Sequence, residues 1–78
     1  MNVERLVAMV NDISAFFTGE AGADAPAAVA GHLRRFWDPR MRREIIAAYR
    51  TDPSSLRHLT DVGRTAIALL AEDVNAAP

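Results

Sequence analysis

Apolar residues recur along this chain at the three- and four-residue spacing of an α-helix, in four separate stretches. Val3, Leu6, Val7, Val10, Ile13, Phe16 and Phe17 predict a first helix over residues 3–18, with Asn2 placed to cap it by accepting a backbone N–H from the first turn. These side chains spread over roughly half the helix circumference, a wider face than one neighbouring helix requires. Gly19, Glu20, Ala21, Gly22, Ala23 and Asp24 predict a loop with nothing to pack. A second helix follows over residues 25–37, with Asp24 near enough to cap it and Pro26 in the first turn, where the missing N–H is harmless. Its inner stripe is Val29, Leu33, Phe36 and Trp37, flanked by His32 and Arg34, with Arg35 pointing away. Asp38-Pro39 reads as a corner, because the residue before proline is pushed out of the α region. Asp38 then caps a third helix over residues 39–50, with Met41, Ile45, Ala48 and Tyr49 on one face and Arg40, Arg43 and Arg50 on the other. Ile46 falls between the two faces. Residues 51–55 are a break, and residues 56–59 make one irregular turn.

The last helix is expected over residues 60–73, burying Val62, Ala66, Ile67, Leu69 and Leu70. Gly63 should weaken its first turn by up to about 1 kcal/mol relative to alanine. Residues 74–78 are expected to fray. No stretch alternates with a period of two, and no segment repeats. The pattern is that of one all-α domain spanning residues 1–78, a small three- to four-helix bundle.

Size makes that bundle marginal. A chain of 78 residues buries only about 60–65% of the surface its unfolded form exposes. Half of the residues are hydrophobic, but many are alanines that fill little volume, and no cysteine is present to staple the core or bind a metal. The expectation is a marginal monomer or a subunit completed by a partner. The formal net charge of −1 comes from nine arginines against ten acids, with no lysine, and gives no long-range pull toward nucleic acid or an anionic membrane. The N-terminus lacks a charged n-region and an A-x-A cleavage site, and no apolar run approaches the roughly 20 residues that cross a bilayer. The default compartment is cytoplasmic.

One segment departs from this ordinary pattern. Residues 32–43 hold five arginines and the only tryptophan, across the corner between the second and third helices. Catalytic and metal chemistry find no support in the chain. His32 and His58 are far apart in sequence and lack carboxylates at ligand spacing. Ser14, Ser54 and Ser55 have no patterned base, and Glu72 and Asp73 are adjacent residues that point different ways from a helix. A bundle of this size also has little room for a substrate pocket. No catalytic or metal-ligating residue is assigned.

The arginine segment can be a solvated face whose side-chain stems cover apolar surface. Its mixture argues otherwise: Phe36, Trp37, Met41 and Ile46 are interleaved with Arg35, Arg40, Arg42 and Arg43. Arginine, tryptophan and methionine are enriched in interface cores, and arginine grips carboxylate or phosphate with two parallel hydrogen bonds. The candidate partner-binding residues are His32, Arg34, Arg35, Phe36, Trp37, Asp38, Arg40, Met41, Arg42, Arg43 and Ile46. Trp37 among them is assigned to the core more than to contact.

The residues also carry a family resemblance. The stretch Leu6-Val7-Ala8-Met9-Val10-Asn11-Asp12-Ile13-Ser14-Ala15-Phe16-Phe17, followed by Val29-Ala30-Gly31-His32-Leu33-Arg34-Arg35-Phe36-Trp37-Asp38-Pro39-Arg40-Met41-Arg42, resembles the delta subunit of NAD-dependent, molybdenum-containing formate dehydrogenases. The likeness covers about the first 50 residues, and residues beyond Thr51 add little to it. It implies a small non-catalytic subunit of a cytoplasmic complex. That complex oxidises formate at a bis-molybdopterin guanine dinucleotide centre and passes electrons through iron–sulfur clusters and FMN to NAD. The resemblance supplies no catalytic residues, and without cysteine this chain binds none of the clusters directly.

Residues and resemblance together offer two uses for the edge formed by Arg35, Arg40, Arg42 and Arg43. It docks on an acidic patch of the large catalytic subunit, or it holds phosphates of the guanine-dinucleotide cofactor during insertion. Docking is favoured, because the chain has no glycine-rich phosphate loop. Two other classes stay open. A nucleic-acid-binding module with the third helix as reader is disfavoured by the neutral net charge, and a free homodimer would use the broad faces of the first and last helices.

Overall fold

The computed structural model describes residues 2–76, with side chains through residue 73. Four α-helices, α1 (Val3–Ala21), α2 (Ala25–Phe36), α3 (Pro39–Thr51) and α4 (Asp61–Ala76), are joined by short connections that contain two 3₁₀ turns, and no strand occurs among the described residues. The protein is an all-α bundle.

Capping sets where the helices begin. The Asn2 side chain accepts from Arg5 N at 2.8 Å at the start of α1, and the Asp38 side chain accepts from Met41 N at 2.9 Å at the start of α3. Asp24 precedes α2 but makes no side-chain cap bond, so Pro26 in the first turn is the remaining local device there. Thr60 serves α4: its hydroxyl accepts from Gly63 N at 3.1 Å, and its carbonyl accepts from Arg64 N at 2.8 Å.

The loop expected at residues 19–24 is mostly absent. α1 runs through Gly19 to Ala21, and Gly22–Asp24 form a 3₁₀ turn. Gly22 is where the chain leaves the helix, because it alone takes a positive φ, 56°, which an L side chain rarely adopts. An isolated glycine such as Gly19 weakens a helix without ending it. The break expected at residues 51–55 is likewise partly ordered, as a 3₁₀ turn over Pro53–Leu56. At the other end α4 runs to Ala76, past the boundary expected at residue 73, and no proline or glycine interrupts residues 73–76. Residues 77 and 78 of the expected frayed tail lie outside the described residues.

α2 is the central element, packing most extensively on α1 and α4. Leu6 and Val10 of α1, Val29 and Leu33 of α2, Ile45 of α3 and Ile67 of α4 are fully buried. Leu56 and Leu59, from the irregular segment, close the core from one end. The whole measures 30 × 29 × 18 Å, a slab one helix pair thick with correspondingly little interior.

Gly63 has a packing reason that periodicity could not supply. A Cβ built there would stand 3.0 Å from Val10 Cγ1 and 3.3 Å from both Leu59 Cδ2 and Ser14 Oγ, so the missing side chain is what lets α4 cross α1 closely. Asn11 ties the same junction, donating to His58 O at 2.9 Å and accepting from Thr60 N at 3.0 Å.

Candidate functional site

The corner between α2 and α3 is built from the arginine-rich segment itself. Trp37 and Asp38 are both extended, Asp38 as the residue before a proline favours, and the chain turns through them into α3. The turn leaves carbonyls at the α2 C-terminus without helical partners. Arg42 reaches back from the first turn of α3 and supplies them, its Nη1 donating to Arg34 O at 2.8 Å and to Trp37 O at 2.7 Å. Arg34 is engaged as well, through an Nε–H bond and ion pair to the Asp73 carboxylate that ties α2 to α4. Arg50, expected on the solvent face of α3, donates to Ala71 O at 3.0 Å and links α3 to α4.

Several residues of the candidate partner surface do other work, and Trp37 is in the core to which the sequence assigned it more than to contact. Trp37 is only 6% exposed and Ile46 only 4%, so both are core. Ile46 turns inward because α4 lies across that side of α3 and covers it. Arg42 is half-buried and holds the corner together. Met41 is half-buried against the core, and Asp38 is exposed but committed to its cap. What the fold leaves outside is Arg35, Phe36, Arg40 and Arg43. Among the described residues none of these three arginines has a hydrogen-bond or ion-pair partner.

On the α4 side the corner forms an open groove of about 580 Å³, with Pro39, Ile46 and Leu70 as its apolar surface and Arg34, Arg42, Arg43 and Asp73 around it. On the α1 side His32 is half-buried between two aromatic rings, 5.8 Å from Phe17 and 4.7 Å from Phe36 by centroid. Phe16 extends the row, with its ring 5.1 Å from that of Phe17 in an edge arrangement. Phe16 is 61% exposed and Phe36 is 70% exposed, and among the described residues they are the exposed large apolar side chains. Phe16 and Phe17 belong to this surface although they lie well outside the arginine segment. Their signal in the sequence was the excess width of the first helix's apolar face, which one neighbouring helix does not cover.

The arrangement presents cations and aromatic surface and little that reacts. Among the described residues no three histidine, aspartate or glutamate side chains gather as metal ligands, and no helix is long and apolar enough to cross a membrane. The sequence has no cysteine, so no iron–sulfur cluster can be ligated here by thiolates. The groups available can grip carboxylates and bury apolar side chains.

A family model described as the NADH-dependent formate dehydrogenase delta subunit, FdsD, matches residues 5–67. No curated protein and no solved structure matches the chain.

Proposed function

We propose a role that proceeds from a premise: the chain belongs to the NADH-dependent formate dehydrogenase delta-subunit family. Within that enzyme it acts as a non-catalytic subunit, docked on the large catalytic subunit and supporting assembly, cofactor loading or stability of the complex. The redox centres, a bis-molybdopterin guanine dinucleotide, iron–sulfur clusters, FMN and NAD, belong to the other subunits. The observation that carries this reading is that Arg35, Arg40 and Arg43, without partners among the described residues, stand exposed at the α2–α3 corner together with the exposed Phe36. A helix surface that must only stay soluble has no need of that combination. Exposed arginines and an exposed aromatic side chain on one corner are residue types that protein interfaces enrich.

Carboxylates of the partner are the favoured counter-charge over cofactor phosphates. Arginine binds either anion bidentately, but the chain has no glycine-rich loop to cradle a pyrophosphate. Docking also supplements a thin core, because a partner that binds only the folded state stabilises it.

The test is co-purification of the large subunit with the double variant Arg40→Ala/Arg43→Ala. Both side chains are exposed and without partners among the described residues, so the fold should persist and association should be lost. Recovery of the large subunit in full amount with the double variant would refute the reading.

A further inference from the structure

We propose that the furrow between α1 and α2 receives a segment of the partner subunit that inserts an apolar side chain and sets a carboxylate beside Arg35. The proposal rests on the docking reading above and assigns to it a location and a chemistry. The furrow, of about 340 Å³, is lined by Phe17, Ala28, Gly31, His32, Arg35 and Phe36. Ala28 and Gly31 keep it open, since a Cβ added at Gly31 would meet no atom within 4 Å. Phe17, His32 and Phe36 form an aromatic row along it through their ring contacts, and Phe16 prolongs that row along α1.

Three observations converge on this occupant. The two large apolar side chains left exposed among the described residues, Phe16 and Phe36, sit at the two ends of this row. Clustered exposed aromatics of this kind mark interaction surfaces, whereas scattered ones do not. The permanently charged group lining the furrow is Arg35, and it has no partner among the described residues, so the complementary charge is an anion, which a protein segment supplies as a carboxylate. A free phosphate would satisfy Arg35 but leave the aromatic walls in water. A second copy of this chain, placed with Phe36 against Phe36 across a two-fold axis, would bring one Arg35 toward the other with no carboxylate in the lining.

Gly31 provides a test that leaves folding intact. Leucine there enters open space, has the better helix propensity, and fills the furrow. Binding of the purified large subunit to the full chain would be measured for wild type, Gly31→Ala, Gly31→Leu, Arg35→Glu and Arg40→Ala/Arg43→Ala, with thermal melts of each. The expected result is that Gly31→Leu and Arg35→Glu each raise Kd by about ten-fold or more, as loss of an interface anchor does. Gly31→Ala should bind nearly as wild type, and Gly31→Leu should melt no lower than wild type.

Wild-type affinity retained by Gly31→Leu and Arg35→Glu, with binding lost in Arg40→Ala/Arg43→Ala, would overturn the furrow and leave docking standing. Absence of binding by the wild-type chain would overturn the docking reading and the furrow with it. Self-association of the isolated chain in sedimentation, abolished by Gly31→Leu while large-subunit binding is unchanged, would assign the furrow to a second copy and overturn the proposal.

Discussion

Replacing Gly63 by alanine sets two effects of known size against each other. In a helix interior the change contributes about 1 kcal/mol of stability through backbone entropy. Here the added Cβ would lie 3.0 Å from Val10 Cγ1, and 3.3 Å from Leu59 Cδ2 and Ser14 Oγ. None of these neighbours yields easily. Val10 is fully buried, and a β-branched side chain in a helix holds one χ1 rotamer. Leu59 and Ser14 are buried at the same crossing. Overpacking of this kind costs about 1–3 kcal/mol, so the net effect is a destabilisation of about 1 kcal/mol. For a domain of this length that lowers Tm by about 4–8 °C.

Gly31→Ala is the internal control, because it is equally helical but opens onto empty space, and it should raise stability by up to about 1 kcal/mol. Thermal and urea melts followed by far-UV circular dichroism give both values. If Gly63→Ala matched or exceeded wild type in stability, the close α1–α4 crossing would be refuted.

Other side chains make sharp predictions. Ser14 Oγ is buried with no hydrogen-bond partner among the described residues, while the Ser14 carbonyl, which accepts from the Thr18 hydroxyl, is untouched by side-chain truncation. Ser14→Ala should therefore leave the urea midpoint unchanged or raise it, by up to about 1 kcal/mol in stability. Arg42→Ala removes both donors that close the α2–α3 corner and should destabilise by about 1.5–3 kcal/mol, whereas Arg40→Ala and Arg43→Ala should each stay within about 0.5 kcal/mol of wild type. Asn11→Ala breaks the tie between α1 and the start of α4 and should cost about 1 kcal/mol in the same assay.

Much of the fold was legible because the signals were local. The 3.6-residue spacing of Leu6, Val10, Val29, Leu33, Ile45 and Ile67 identified the buried face of each helix, and Asn2, Asp38 and Pro39 marked where helices start. Local signals failed where tertiary contact decides. Gly19 and Gly63 looked alike as breakers, yet Gly19 sits in an exposed helical turn and Gly63 is a crossing point. Leu56 and Leu59 gave no periodicity because they lie in an irregular segment, and they close the core all the same.

At the site, composition located the α2–α3 corner but could not separate its arginines by role. Arg34 and Arg42 are spent on Asp73 and on backbone carbonyls, while Arg35, Arg40 and Arg43 stay exposed. That division depends on which carbonyls the corner orphans and where α4 passes, neither of which a one-dimensional pattern encodes. Phe16 is the same case in reverse: its helical spacing says core, and only the absence of a covering helix makes it surface.

The central claim is the proposal that this chain works while docked on the large subunit through the exposed Arg35, Arg40 and Arg43. The most direct measurement is affinity purification of the tagged chain from cells making the whole enzyme, as wild type and as Arg40→Ala/Arg43→Ala, with the large subunit quantified in each eluate. The account predicts stoichiometric large subunit with the wild type and loss of it with the folded double variant. Failure of the wild-type chain to recover the large subunit, or equal recovery by the double variant, would contradict it.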